Sequence, residues 1–201
     1  MDNFAGLKGK GYRRMQVNVT FRKTSRMSLR VTQRGAVNVS APYGTPRKAI
    51  ADFVDSHQDW IRKALANTAE RQRRRLSFYS RLPLETKEQR QEAVRRLDEL
   101  LLPLVRKYAP MMGVPVPAIE YKAFISRWGC CRTKQCRVAF SAYLLLLPEW
   151  CAEHVVVHEL AHFIVPDHSP RFHAVMDRWF PRWRDARRVT QECLGGEEME
   201  D

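Results

Sequence analysis

Residues 153–166 read EHVVVHELAHFIVP, in which His158 and His162 lie four positions apart. The apolar residues around them predict a helix, on which residues four apart lie on the same face. The two imidazoles can therefore point at one metal ion, and Glu159 follows the first of them directly. Two neutral nitrogen ligands and a carboxylate that can accept a proton from water form the arrangement that a zinc hydrolase needs. The stretch thus predicts a metal-dependent hydrolase built on a helix.

A catalytic zinc ion commonly takes a third protein ligand and keeps its fourth position for water. The candidates close to the helix in sequence are His154, His168, His173, Asp167 and Asp177. Pro166 ends the predicted helix and Ser169-Pro170 is a typical start of the next, so His168 lies where the chain reverses. His154 lies one turn upstream, but three ligands on one straight helix would be spread over about 12 Å. His168 is therefore the favoured third ligand, with Asp177 and His173 as candidates for supporting hydrogen bonds.

The chain of 201 residues is strongly basic, with 35 Lys and Arg against 22 Asp and Glu and a net charge of +13. Such a surface attracts polyanions, so a weak association with nucleic acid is one expectation. Neither a signal peptide nor an apolar run of membrane-spanning length is visible in the sequence. The five cysteines, an odd number, are expected to be reduced thiols. These features predict a cytoplasmic protein without a membrane span.

The pattern of residues predicts three parts. Alternation of apolar and polar residues over 12–41 predicts strands in a small meander, and Thr45-Pro46 predicts the start of a helix that runs to about Ala66. Residues 1–66 are thus expected to form a β-rich N-terminal subdomain with a closing helix. Residues 67–84, rich in arginine at first, are expected to connect it to a metal-binding domain over 85–201.

The second predicted domain begins with a long helix from about Glu85 to Tyr108, with a kink or break at Pro103. Strands around Ile119 and Phe140 follow and are expected to form a small antiparallel sheet before the metal helix. The expected fold class is therefore α+β.

Further motifs accompany the metal helix: SRWGCC at 126–131, LPE at 147–149 and HSPRF at 168–172. Together they resemble the YgjP-like metallopeptidase family and, more distantly, the SprT-like metalloproteases, over nearly the whole chain. The resemblance implies a zincin-type α+β domain after a β-rich N-terminal part. It also implies one zinc ion per chain held by His158, His162 and His168, with Glu159 as catalytic acid and base.

The sequence departs from the resemblance at two positions. Relatives commonly have Ser where this chain has Cys130, and often Tyr where it has His154. His154 is therefore a candidate to act on a substrate oxygen, and Arg127 is a second candidate to stabilise the oxyanion.

A zinc metallopeptidase-like hydrolase of peptides or proteins is the predicted function, with the strand near Phe140 as an edge for an extended substrate. Two alternatives remain open on the sequence. The same metal site could hydrolyse a phosphoanhydride such as a nucleotide, to which the arginines would bind. Alternatively, the protein could be a DNA-associated protease similar to the SprT-like enzymes.

Overall fold

Two three-stranded sheets and six α-helices make up residues 17–194, the part of the chain that the computed structural model describes. The chain divides between Arg73 and Arg74 into two units, each with its own sheet and its own apolar core. The architecture is mixed α and β, with small sheets. The domain bounds at residues 66 and 84 stay predictions.

The first sheet consists of β1 (Val17–Arg22), β2 (Ser28–Val31) and β3 (Val37–Pro42), in the order β1-β3-β2. β3 is parallel to β1 and antiparallel to β2, so the predicted meander is wrong. β3 suits the central position, between two other strands, because its Val37 and Val39 are fully buried. Residues 12–16, where the first strand was predicted to begin, lie outside the described residues.

Two helices cover the first sheet, α1 (Arg47–Ser56) and α2 (Gln58–Ser80). Their buried Ile50, Val54 and Ile61 pack against the valines of the strands. The single helix predicted to Ala66 is thus interrupted at His57, and residues 67–80, predicted as part of the connecting segment, are helical and continue α2. Alanine, arginine, glutamine and glutamate have high helix propensity, which outweighs the scarcity of apolar residues there.

The second unit contains the long helix α3 (Lys87–Met112), which begins with a capping box at Thr86 and ends at Gly113 in the left-handed conformation. The helix continues through Pro103, where a kink or break was predicted. Leu101 and Val105 are buried on either side of the proline, and this packing offsets the loss of a backbone hydrogen bond.

The second sheet consists of β4 (Ala118–Lys122), β5 (Gly129–Arg132) and β6 (Arg137–Ser141), in the order β4-β6-β5. The predicted antiparallel sheet is wrong, because β4 is parallel to β6 and only β5 is antiparallel to it. A 3-10 turn at Thr133–Gln135 and a left-handed Cys136 reverse the chain between β5 and β6. β6, which carries Phe140, is therefore central and cannot be the edge strand that was predicted for substrate.

Three helices complete the second unit: α4 (Glu149–Ala161), α5 (Pro170–Trp179) and α6 (Trp183–Cys193). α4 packs against α3, α5, α6 and β5, and eight of its residues are buried. This burial suits the many apolar residues of the helix. Among residues 17–194, no helix combines the length and the apolar character that a bilayer crossing requires.

Candidate metal centre

Three histidines converge at the end of α4. His158 lies in the last turn of the helix, His162 is its C-cap residue and still has helical backbone angles, and His168 follows in the next turn of chain. The chain reverses there as predicted, with Ser169 as the N-cap and Pro170 as the first residue of α5. One ligand atom from each of the three histidines lies within 4.8 Å of the other two.

The spacing of these nitrogens suits a single ion. Nε2 of His158 and Nε2 of His168 lie 3.1 Å apart. Two nitrogens bound tetrahedrally to one zinc ion, at about 2.05 Å each, lie about 3.3 Å from one another. The histidines therefore fit a zinc ion, and they form the one such group of His, Cys, Asp or Glu side chains within residues 17–194.

The protonation of the histidines also fits metal binding. Nδ1 of His162 lies 3.4 Å from the carbonyl oxygen of Val165, and a carbonyl can only accept, so Nδ1 donates and Nε2 is left for a ligand bond. Burial, followed by the neighbouring charge of His162, lowers the pKa of His158 well below its ordinary value. His158 is thus a neutral imidazole at physiological pH, which is the form that binds metals.

Phe172 lies beneath all three rings. Its ring centroid is 4.9 Å from that of His158 and 4.8 Å from those of His162 and His168. The three imidazole centroids are themselves 4.9 to 5.0 Å apart. Phe172 is 1% exposed, so it forms a rigid apolar base for the histidines. In the sequence, Phe172 is recognisable only as the last residue of the HSPRF motif, in the first turn of α5.

Glu159 belongs to α4, its side chain lies against β5, and it is 5% exposed. Its side chain occupies the space that a side chain on Gly129 would fill. A Cβ atom added to Gly129 would lie 2.6 Å from Cγ of Glu159 and 2.5 Å from its Cδ, closer than real contacts allow. Gly129 is therefore required for Glu159 to adopt its position, a role that no local sequence pattern indicates because it depends on a contact between residues distant in sequence.

A cavity of about 370 Å³ opens beside these groups. Arg127, Thr133 and the first three residues of β5 line one side, and Glu159, His162, Pro166 and His168 line the other. Cys131 of β5 lies near Glu159: burial, followed by this carboxylate, raises the pKa of the Cys131 thiol to about 12. The thiol stays protonated at physiological pH and differs in this respect from a metal-bound thiolate.

The other predicted site residues are distributed differently. Arg127 lines the cavity, whereas His154 packs its ring 5.8 Å from that of Phe180, and its Nδ1 is buried without a hydrogen bond to residues 17–194. His173 stacks on Trp183, with ring centroids 5.1 Å apart. Asp177 accepts hydrogen bonds from Nε1 of Trp183 at 2.8 Å and from Arg184 at 2.7 Å. Asp177 and His173 thus connect α5 to α6.

Comparison with known proteins agrees with this geometry. A sequence profile described as YgjP-like, metallopeptidase domain, matches residues 25–93 and 80–192. The chain belongs to the YgjP-like metallopeptidase family. The resemblance inferred from the motifs is thereby confirmed, and the chain is a peptidase-like hydrolase of the metallopeptidase class.

Two further comparisons leave the family assignment unchanged. A search of curated proteins finds no significant match. Among solved structures, this YgjP-like chain is similar to the metallopeptidase zymogen of Pyrococcus abyssi abylysin, with a TM-score of 0.43 and 19% sequence identity. The similarity covers 48% of this chain and 96% of the abylysin chain.

Proposed function

We propose that this protein is a zinc-dependent peptidase in which His158, His162 and His168 hold one zinc ion per chain. The observation that supports this most strongly is the convergence of the three histidine ligand atoms beside a buried glutamate, Glu159. Membership of the YgjP-like metallopeptidase family supports a peptide or protein as substrate. The second unit is accordingly proposed to be a zincin-like domain with α4 as its active-site helix.

Glu159 is proposed to act as general base and then as general acid. When bound, zinc supplies a Lewis acid that lowers the pKa of a coordinated water to about 7 and polarises the scissile carbonyl. Glu159 takes the proton of the attacking water on a carboxylate oxygen and later donates it to the departing amine nitrogen. Gly129 leaves room for this carboxylate against β5, so the base is held in one position before the substrate arrives.

Two groups of the cavity are proposed to bind the substrate. Arg127 would donate hydrogen bonds to the oxyanion that develops on the scissile carbonyl. β5 lines the cavity and is an edge strand that pairs only with β6 inside its sheet, so an extended peptide can add to its other side. His154, which packs on Phe180, and His173 and Asp177, which contact Trp183, are proposed to support the helices that carry the ligands.

The decisive experiment compares the wild-type protein with the isosteric Glu159→Gln variant. Purified protein is assayed for zinc by elemental analysis and for cleavage of casein and of a peptide library. We expect about one zinc ion per chain in both proteins and a loss of cleavage of about 10²- to 10⁴-fold in the variant. Unchanged cleavage by the variant would refute the role of Glu159, and a wild-type protein that binds no zinc would refute the metal site.

The nucleotide-hydrolase and DNA-dependent protease alternatives have less support, because the family match favours a peptide substrate. The same preparation, tested on nucleoside triphosphates and on peptides with and without added DNA, separates these alternatives from the peptidase. Activity on nucleotides alone would replace the peptidase proposal. Peptide cleavage that requires added DNA would favour the DNA-dependent protease. The cytoplasmic location stays a prediction.

A further inference from the structure

The first sheet lies in a part of the chain that has charge of one sign only. Residues 3–51 contain eleven Lys and Arg and no Asp or Glu. Seven of these basic residues belong to the described range 17–51: Arg22, Lys23, Arg26, Arg30, Arg34, Arg47 and Lys48. Like charges packed so densely repel one another, and in most protein surfaces carboxylates are interspersed to offset the repulsion.

Strand periodicity divides the first sheet into an apolar and a polar face. Val17, Val19, Val37 and Val39 are buried against the helices of the first unit. The residues between them form the opposite side, which we call the outer face: Asn18, Thr20, Arg22, Ser28, Arg30, Asn38 and Ser40. Apart from Pro42 at the end of β3, the outer face carries only amide, hydroxyl and guanidinium side chains.

The cations on and beside this face are not neutralised within the described residues. Arg22, Lys23, Arg26 and Arg30 are all exposed, and none of them forms an ion pair with a carboxylate of residues 17–194. Charges on an edge strand such as β2 discourage aggregation, but acidic residues would serve that purpose equally well. The absence of any acid in this part of the sequence therefore requires a further reason, and an anionic partner supplies one.

The chemistry of the face indicates which polyanion it fits. Arginine, lysine, asparagine, serine and threonine are the side chains that donate hydrogen bonds to phosphate oxygens. A membrane-inserting surface would need an apolar component, which the outer face does not have. Tyr43, 73% exposed, follows β3 at the end of the sheet where β1 finishes with Arg22. Its ring is available for stacking with a base.

We propose that the outer face of the first sheet binds single-stranded nucleic acid, with Arg22, Lys23, Arg26 and Arg30 on the phosphates and Tyr43 stacked on a base. The three strands span about 10 Å from one outer strand to the other, which suits one nucleic-acid strand. Because the face lies entirely in the first unit, the proposal does not depend on the metal centre or on the proposed peptidase activity.

The test uses the full-length protein and a fluorescein-labelled 20-nucleotide single strand, with anisotropy measured from low to moderate salt. One variant carries Arg22→Gln, Lys23→Gln, Arg26→Gln and Arg30→Gln. The matched control removes four exposed charges from the second unit through Arg96→Gln, Arg106→Gln, Lys134→Gln and Arg178→Gln. Both quadruple variants lower the net charge by the same amount. A difference in their affinity therefore reports where the charges lie and not how many there are.

We expect the first quadruple variant to lose affinity at least tenfold. The slope of log affinity against log salt concentration should become shallower by about 3, which is about 0.7 for each lost phosphate contact. The control should stay within about threefold of the wild type. Tyr43→Ala should weaken binding at least about fivefold, the loss expected from one stacked base. The His158→Ala variant should bind as tightly as the wild type.

Several results would overturn the proposal. Equal weakening by the two quadruple variants would mean that binding follows net charge alone. Tighter binding of a duplex than of the single strand would contradict the stacked, single-stranded mode, and stronger competition by polyglutamate than by unlabelled oligonucleotide would indicate an acidic protein partner. No binding at the lowest salt would also refute it. Circular dichroism confirms folding of each variant, and the single Arg22→Gln and Arg30→Gln variants replace the quadruple one if it does not fold.

Discussion

The first and second sheets have the same strand order and the same pairing. In each, the last strand in sequence lies centrally, parallel to the first strand and antiparallel to the second. The difference lies in the antiparallel edge strand of each sheet, β2 in the first and β5 in the second. β2 contributes the partly buried Leu29 and Val31, which pack against the core, whereas β5 contributes Gly129 and Cys131, which lie beside Glu159. The same topology thus forms a filled core in one unit and borders a cavity beside Glu159 in the other.

The two sheets also differ in their charges. In the second sheet, Glu120 forms ion pairs with Arg137 at 2.7 Å and with Lys122 at 3.3 Å. The first sheet has basic residues but no acid between positions 3 and 51. The two sheets therefore have different proposed partners. We propose a peptide for the second sheet, whose edge strand has small side chains, and nucleic acid for the first, where all the charges are positive.

The largest effect is expected from removal of a histidine of the metal centre. His158→Ala should abolish zinc binding and reduce peptide cleavage to background, because the remaining two ligands cannot hold the ion tightly. The matched control on the same helix is His154→Ala, which should retain zinc because the His154 ring packs on Phe180. Elemental analysis of the two purified variants checks both. Zinc loss in both variants would mean that the metal centre also requires His154, either as a ligand or as support for α4.

The Gly129→Ala variant tests the small side chain of β5 directly. The added methyl group overpacks the contact with Glu159, so we expect a loss of about 1–3 kcal/mol in the free energy of unfolding. A displaced carboxylate should also lower kcat by about 10²-fold while zinc binding is retained. In the Glu159→Ala background the same change should cost little stability, because the clashing atoms are gone. Equal destabilisation in both backgrounds would contradict the contact.

A pair of identical substitutions compares the two central strands. Val39 of β3 and Val138 of β6 are both fully buried, so each change to Ala should cost roughly 1.5–3 kcal/mol of unfolding free energy. Val138→Ala should also reduce peptide cleavage, since Val138 pairs with Cys131 beside the cavity, whereas Val39→Ala should leave zinc content unchanged. Denaturant unfolding and a zinc assay provide the measurements. Loss of zinc in Val39→Ala would show that the metal centre depends on the first sheet.

The smallest effect is expected from the surface charges of the second sheet. Arg137, followed by Lys122, lowers the pKa of Glu120, so the ion pair stabilises the fold at neutral pH. That contribution is lost as pH falls and the carboxylate is protonated. Arg137→Gln should therefore lower Tm slightly at pH 7 and not at all in strong acid. A Tm difference that grows on acidification would contradict the assignment.

Local patterns predicted the elements that depend on neighbours in sequence. The start of α5 at Ser169-Pro170 and the turn that contains His168 follow from capping rules that act over a few residues. The meander predicted for the first sheet and the antiparallel pairing predicted for the second sheet were both wrong, because strand pairing depends on contacts between residues distant in sequence. The continuation of α3 through Pro103 likewise depends on burial of Leu101 and Val105, which a local rule about proline does not include.

The sequence by itself determined the membership of the YgjP-like metallopeptidase family and the four-residue spacing of His158 and His162, since helix geometry alone puts them on one face. Only the tertiary structure decided which strand borders the cavity, that Phe172 lies under three imidazoles, and that Glu159 fills the space above Gly129. These contacts depend on the packing of α4 against β5 and of α5 against α4, which rules acting within one element do not include.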